Sequence, residues 1–394
     1  MLERGMRALA ALVVMGFLLK GMACADALSV GTAEEKPPFE TNCAAVLLAE
    51  PDSGQIIFEK NADERRAVAS VTKIMSILLT VEAIEEGRIA LTDRVVISAT
   101  AAGMGGSQVL LDAGETQTVD VLLKSMIVGS ANDATVALAE HIAGSVQVFV
   151  DRMNARAGEL NMADTHFVNA TGLPAEGHHT TARDVARMAI ELSKHELYYK
   201  YSTIWLDEVV HEGGRSTSLT NTNRLIRLYD GCDGLKTGST NEAGYCMAAT
   251  AKRGEMRLIA VVLGADTGKE RFAIASEMLD YGFANYRRYP VTEKGAKVRG
   301  KLPVSGGSQT EMELEIDENL TLLLKRGEED KIRLQANLPE SAAAPINRGQ
   351  SIGSVDVLMG ERVVGRVSIV AAESIGRRSF ADGLIRVLKC WCFQ

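Results

Sequence analysis

The apolar positions fall into two rhythms that change near residue 290. From Ser70 to Ile84 they include Ile74, Met75, Ile77, Leu78, Leu79, Val81 and Ile84, which surround nearly the whole helical wheel. A helix apolar on all sides belongs in a core rather than on a surface. Before it, Asn42 to Leu48 and Gln55 to Glu59 are short apolar stretches separated by the turn-forming Pro51-Asp52-Ser53-Gly54, which predicts a β-hairpin. Helical patterns follow through Val119 to Ile127, Asn132 to Ile142, Val146 to Leu160 and Thr181 to Leu192, the last opening at the N-cap candidates Thr180 and Thr181. Strand patterns return at Gly244 to Thr250 and Arg257 to Leu263, around Lys252-Arg253-Gly254-Glu255, and a helix is predicted over Arg271 to Tyr286.

After Tyr289-Pro290 the period becomes two. Met312, Leu314 and Ile316 alternate with Glu311, Glu313, Glu315 and Asp317, and the alternation recurs at Ile332, Leu334 and Ala336 and from Val363 to Val370. Short alternating strands separated by Gly and Pro predict a small all-β domain over residues 291 to 372. The chain closes, over 377 to 394, on a stretch that puts Phe380, Leu384, Val387, Leu388 and Trp391 on one helical face behind Arg377-Arg378, with Gly383 weakening the helix. A short basic amphipathic helix with a Trp suits a membrane interface, and it equally suits docking on its own domain.

The opening residues have a different character. Arg4 and Arg7 precede the apolar run Ala8 to Leu19, and Ala23-Cys24-Ala25 follows. That order predicts a secretory signal peptide over residues 1 to 25, cleaved before Asp26, because the run is shorter than the roughly 20 residues needed to span a bilayer. Gly21 stands where a lipoprotein signal has Leu, which weakens a lipid on Cys24. Cleavage would leave Cys43, Cys232, Cys246, Cys390 and Cys392, an odd number, with Cys43 and Cys246 read as small buried residues in apolar runs.

Composition narrows the function classes. The chain has 394 residues, 46% hydrophobic and 24% charged, which is long enough for two domains and excludes disorder, collagen and coiled coil. With 43 Lys+Arg against 51 Asp+Glu the net charge is −8, and basic residues occur at most in scattered pairs, so a nucleic-acid partner is not expected. There is no Cys-x-x-Cys and no His-Glu-x-x-His; neither a metal nor another cofactor is expected.

Three short motifs carry candidate chemistry: Ser70-Val71-Thr72-Lys73, Ser130-Ala131-Asn132 and Lys236-Thr237-Gly238. Each is weak alone, and Ser-x-Asn occurs again at Ser239-Thr240-Asn241. Ser70 heads the buried helix, and Lys73 falls on the same face within reach of its hydroxyl. A serine is a poor nucleophile until a base takes its proton, and a lysine in an apolar site beside another cation, here Lys236, can be that base. The alternative makes Ser70 an N-cap and Lys73 a solvated residue, but a cation in the first turn of a buried helix opposes the dipole for no return. Ser130 and Asn132 sit between two helices, as cleft residues or as caps of a linking turn. Gly238 permits close backbone approach in a short strand that could also be an ordinary edge. Gly103-Met104-Gly105-Gly106 follows no strand of a βαβ unit, and His178-His179 reads as structural rather than metal-binding.

With these motifs the chain resembles the penicillin-binding proteins and β-lactamases, and most closely the low-molecular-mass D-alanyl-D-alanine carboxypeptidases. The segments Ala67 to Lys73, Val128 to Ala134, Asn169 to Pro174 and Asp233 to Gly238 all carry the likeness, which is strong over residues 40 to 290. The resemblance implies an α+β fold, an antiparallel sheet packed with helices plus a helical subdomain, followed by the small all-β domain and a membrane-anchoring amphipathic helix. It implies that Ser70 is acylated by the penultimate D-Ala of a peptidoglycan stem peptide ending in D-Ala-D-Ala. Lys73 would be the general base and Ser130 would relay a proton to the leaving amine. Asn132, Lys236, Thr237, Gly238 and Ser239 would bind the substrate, with the Ser70 and Ser239 amides as oxyanion hole and β-lactam antibiotics as covalent ligands. The enzyme would be exported and would face the cell wall or periplasm from the outer side of the bacterial cytoplasmic membrane.

Ser239 is a departure, since several carboxypeptidases of the family have His, Tyr or Phe there. A class A β-lactamase is the nearest rival, but its Glu-x-x-Leu-Asn segment is broken: Ala157 occupies the Glu position before Leu160-Asn161, and Glu159 is out of register. A non-catalytic peptidoglycan-binding protein and a transpeptidase are the other readings.

Overall fold

The computed structural model describes residues 29–30 and 41–379; the segments read as signal peptide and, from residue 380, as amphipathic helix lie outside the described residues. Two compact units emerge, one of residues up to Asp280 except Gly254–Met256, the other of that turn with the residues from Tyr281. No helix among the described residues is long and apolar enough to cross a membrane.

The first unit is built on a six-stranded sheet in the order Ser29–Val30, Gln55–Lys60, Cys43–Glu50, Met256–Ala265, Gly244–Arg253, Cys232–Thr240. Ser29–Val30 pairs in parallel with Gln55–Lys60, while Cys43–Glu50 is antiparallel to both its neighbours and Cys232–Thr240 is antiparallel to Gly244–Arg253. Ala45 to Ala49 and Leu258 to Leu263 are 0% exposed, as expected of central strands covered on both faces. Against the sheet lies the helix Lys73–Glu85, buried along Lys73 to Val81. The predicted start at Ser70 is instead a 3-10 turn, Ala69–Thr72, and the α-helix begins at Lys73. Surrounding helices Val119–Val128, Val146–Glu159 and Ala182–Leu192 are capped by the side chains of Thr118, Ser145 and Thr181. Each cap satisfies one backbone N–H that the helix cannot pair internally. Cys246 is buried in its strand and Cys43 is half-buried; both are free thiols.

The second unit is all β after its leading helical residues. The helix Gly268–Asn285 stops one residue short of its predicted end, because Tyr286–Thr292 is a strand paired with Leu320–Lys325. A four-stranded sheet orders Leu314–Ile316, Arg362–Ala371, Ser351–Met359 and Ile332–Asn337. Its core gathers Leu314, Val355, Val367 and Ile369. The alternation of Ile332, Leu334 and Ala336 predicts a buried face, yet Leu334 is 55% exposed. The strand lies at the edge of the sheet, beyond the side chains that cover the middle strands.

Candidate active site

Ser70 stands on the 3-10 turn in front of the core helix. Ala69 before it has φ 49°, a left-handed conformation that costs an alanine on the order of 1–2 kcal/mol and that surrounding structure must hold in place. Lys73, fully buried, donates from Nζ to Ser70 Oγ at 2.9 Å and to the Thr171 carbonyl at 2.7 Å. Burial pushes its pKa well below the ordinary lysine value, and the charge of Lys236 pushes the same way; Asp133 opposes both. A neutral amine within hydrogen-bond distance of a hydroxyl can take its proton.

The carbonyl that receives Lys73 belongs to a loop organised by Asn169. Its Oδ1 accepts from the Thr171 and Gly172 amides and the Thr171 hydroxyl, and its Nδ2 donates to the Leu173 carbonyl. Gly172, at φ 78°, passes so close that a Cβ there would stand 1.9 Å from the Ala69 carbonyl oxygen. Gly172→Ala is therefore expected to destabilise the protein by on the order of 3 kcal/mol through clash and backbone strain. A melting temperature equal to that of the wild type would refute this close packing.

Ser130 follows Gly129 with φ 61°, and Asn132 opens the helix Asn132–Ala143. Ser130 Oγ and Asn132 Oδ1 are buried and have no hydrogen-bond partner among the described residues. Buried polar atoms are nearly always paired, so two orphans in one turn mark a place built for a ligand. The other polar atoms of this turn are used locally. Asn132 Nδ2 donates to the Gly105 carbonyl at 2.6 Å, and the Asp133 carboxylate accepts from the Val109 and Leu111 amides. Gly106 meets Asn132 so closely that a Cβ would lie 2.8 Å from Nδ2, so the glycine-rich segment at 103 to 106 is a wall of this site.

The third motif runs along the edge strand Cys232–Thr240. Lys236 is 1% exposed, and its Nζ donates to the Thr237 carbonyl. Burial, with the Arg271 cation adding to it, brings its pKa down to about 7. A Cβ on Gly238 would stand 2.7 Å from the Ser70 amide nitrogen, so only glycine lets this strand pass the nucleophile turn. Ser239, next along, is exposed. Arg271 donates to the Gly238 carbonyl at 2.9 Å and pins the strand from behind.

Ser70 and Lys73 are thus directly bonded, Gly238 abuts Ser70, and Lys236 and Asp133 act on Lys73 through their charge. Ser130 and Asn132 make no side-chain bond to the other motif residues among the described residues. Thr171, Thr222 and Arg271 belong to the site without having been singled out from sequence. Thr222 accepts a hydrogen bond from the Thr237 hydroxyl at 2.8 Å, and its own amide donates to the Val128 carbonyl. Only the family-like segment containing Thr171 carried a sequence signal; Thr222 and Arg271 lie in ordinary-looking stretches.

A buried lysine bonded to a serine, with a glycine of the strand Cys232–Thr240 packed against the serine's turn, suits a serine enzyme working through an acyl intermediate. The chain belongs to the D-alanyl-D-alanine carboxypeptidase family, which matches it over residues 31–267. A second match, to the C-terminal domain of penicillin-binding protein 5, covers residues 286–377. Among relatives, the D-alanyl-D-alanine carboxypeptidase DacF of Bacillus subtilis is 41% identical over 348 residues, 88% of this chain and 89% of the relative. Penicillin-binding protein 5 from Haemophilus influenzae superposes with TM-score 0.75 at 29% identity, over 87% of this chain and all of that one. The Streptomyces K15 DD-transpeptidase, in its S216A variant, superposes with TM-score 0.59 at 29% identity, over 63% of this chain and 100% of that one.

Proposed function

We propose that the protein removes the terminal D-alanine from peptidoglycan stem peptides ending in D-Ala-D-Ala, through an acyl-enzyme on Ser70, and that β-lactams acylate the same serine. The observation that carries the reading is the buried Lys73 amine 2.9 Å from Ser70 Oγ. Lys73 takes the serine proton as Oγ attacks the penultimate carbonyl. Ser130 passes a proton to the departing D-alanine amine, and water then hydrolyses the ester. Asn132 offers its free Oδ1 to the substrate amide. Lys236 and Thr237 face the terminal carboxylate, for which a cation and a hydroxyl are suitable partners. Gly238 and Ser239 line the strand beside the scissile bond, and the Ser70 and Ser239 amides receive the oxyanion. In this reading residues 1 to 25 export the chain, the 40 to 290 domain carries the chemistry, the 291 to 372 domain follows it, and 377 to 394 anchors it on the outer face of the membrane.

The direct test is release of D-alanine from a D-Ala-D-Ala peptide, together with intact-mass detection of a persistent one-to-one benzylpenicillin adduct. Rapid penicillin turnover without an adduct would make it a β-lactamase, and intact penicillin with no adduct a non-catalytic binder. The K15 likeness keeps transpeptidation as a second outcome, read as peptide transfer when an acceptor amine is added.

The two lysines set opposite pH limits. Acylation needs neutral Lys73 and weakens as pH falls through its lowered pKa; carboxylate binding needs charged Lys236 and weakens as pH rises through about 7. A bound carboxylate holds the proton on Lys236, so the alkaline limb should appear in kcat/KM and not in kcat. Lys236→Arg, which stays charged, should remove that limb; its persistence would dissociate it from Lys236.

A further inference from the structure

We infer that His178 is a positioning residue for acylation: through Thr72 it locks the turn that carries Ser70 against the loop whose carbonyl holds Lys73. This rests on the roles of Ser70 and Lys73 proposed above.

His178 sits on a segment tied on both sides. His179 exchanges backbone hydrogen bonds with His166, and Thr180 with Arg66. The imidazole is buried against the Phe167 ring, whose centroid lies 5.9 Å away. Its two nitrogens have distinct partners. Nδ1 lies 3.1 Å from the Val168 amide, which can only donate, so Nδ1 carries no proton and Nε2 does. Nε2–H then points at Thr72 Oγ1, 2.8 Å away and 106 residues distant in sequence. Burial, and the neighbouring His166 and His179, lower the His178 pKa to about 4, so the donor form persists near neutral pH.

Thr72 is the hub of this contact. It precedes the helix that starts at Lys73, where a threonine commonly caps a helical amide, yet its side chain makes no cap bond. The hydroxyl turns to His178 instead. On its other flank lies Gly172, where a Cβ would be 2.8 Å from Thr72 Oγ1, and Thr171 next to it supplies the carbonyl that receives Lys73. The nucleophile turn therefore meets, at one buried hydroxyl, two neighbouring parts of a distant stretch of chain: the Asn169 to Leu173 loop and the histidine segment that follows it. The bond to Val168 stays within residues 168 to 178, whereas the bond to Thr72 crosses to the turn that carries Ser70 and Lys73.

The two bonds separate by substitution in the full chain. Asparagine places an amide oxygen near the Nδ1 position and keeps Val168 satisfied but falls short of Thr72; glutamine places a donor near the Nε2 position. Second-order acylation by a fluorescent penicillin is expected to fall at least about tenfold in His178→Asn and in Thr72→Val, at temperatures where far-UV circular dichroism shows both folded. His178→Gln should stay within about threefold of the wild type, and the double variant His178→Asn/Thr72→Val should be no slower than the slower single one. Wild-type acylation in a folded His178→Asn or Thr72→Val, or His178→Gln as slow as His178→Asn, would overturn the inference. Absence of any adduct on the wild type would instead refute the assignment of Ser70.

Discussion

Ser70→Ala should form no penicillin adduct and release no D-alanine above background, a loss of at least about 10⁴-fold, as expected when the nucleophile of a covalent mechanism is removed. Its side chain is half-buried, and among the described residues its hydroxyl makes one side-chain bond, to Lys73. Losing that bond costs about 1 kcal/mol, so the variant should melt within a few degrees of the wild type. Lys236 and Thr237, proposed to bind the substrate carboxylate, are untouched, so substrate should still bind without reacting. A covalent adduct on folded Ser70→Ala would place the nucleophile elsewhere and dismantle the proposed mechanism.

Lys73→Met should slow acylation by about 10² to 10⁴, the usual contribution of a general base. Methionine nearly fills the same volume, so stability is expected to move in the opposite direction to activity. The folded state depresses the lysine pKa below its ordinary value of 10.5, so at neutral pH the unfolded chain holds the proton more tightly than the folded one. Stability of the wild type therefore rises with pH between the folded and unfolded pKa values. Methionine lacks this penalty, though it leaves the Thr171 carbonyl without its lysine donor. The urea midpoint of Lys73→Met should exceed that of the wild type near pH 7, with the gap narrowing as pH approaches 10.5. A gap that widened would mean Lys73 is not depressed, and with that its fitness as a base at neutral pH would fall.

The class A reading is disfavoured for a structural reason as well as a sequence one. Ala157 is buried in the helix Val146–Glu159, and the loop that meets Lys73 offers it a backbone carbonyl rather than a carboxylate. Asp133, which acts on Lys73 through its charge, is already committed to the amides of Val109 and Leu111. Slow loss of the penicillin acyl group is the expected consequence of the proposed mechanism, because among the described residues no carboxylate is hydrogen-bonded to Ser70 or Lys73 to activate water.

Local pattern and residue chemistry carried much of this protein. An all-round apolar helix has no stable place except a core, and a lysine at its head has no stabilising reason to be there, so the buried contact of Lys73 with Ser70 was legible. Alternation of period two announced the all-β unit, although it did not reveal that the apolar side of Ile332–Asn337 lies uncovered at a sheet edge. Tertiary structure alone decided what surrounds that pair. The Thr171 carbonyl, the Thr222 hydroxyl, the Arg271 guanidinium and the His178 imidazole reach the site through contacts between distant segments, and such contacts leave no periodic trace. A backbone carbonyl has no residue type to read, and the pKa of a lysine depends on water excluded by neighbours that only the folded chain assembles.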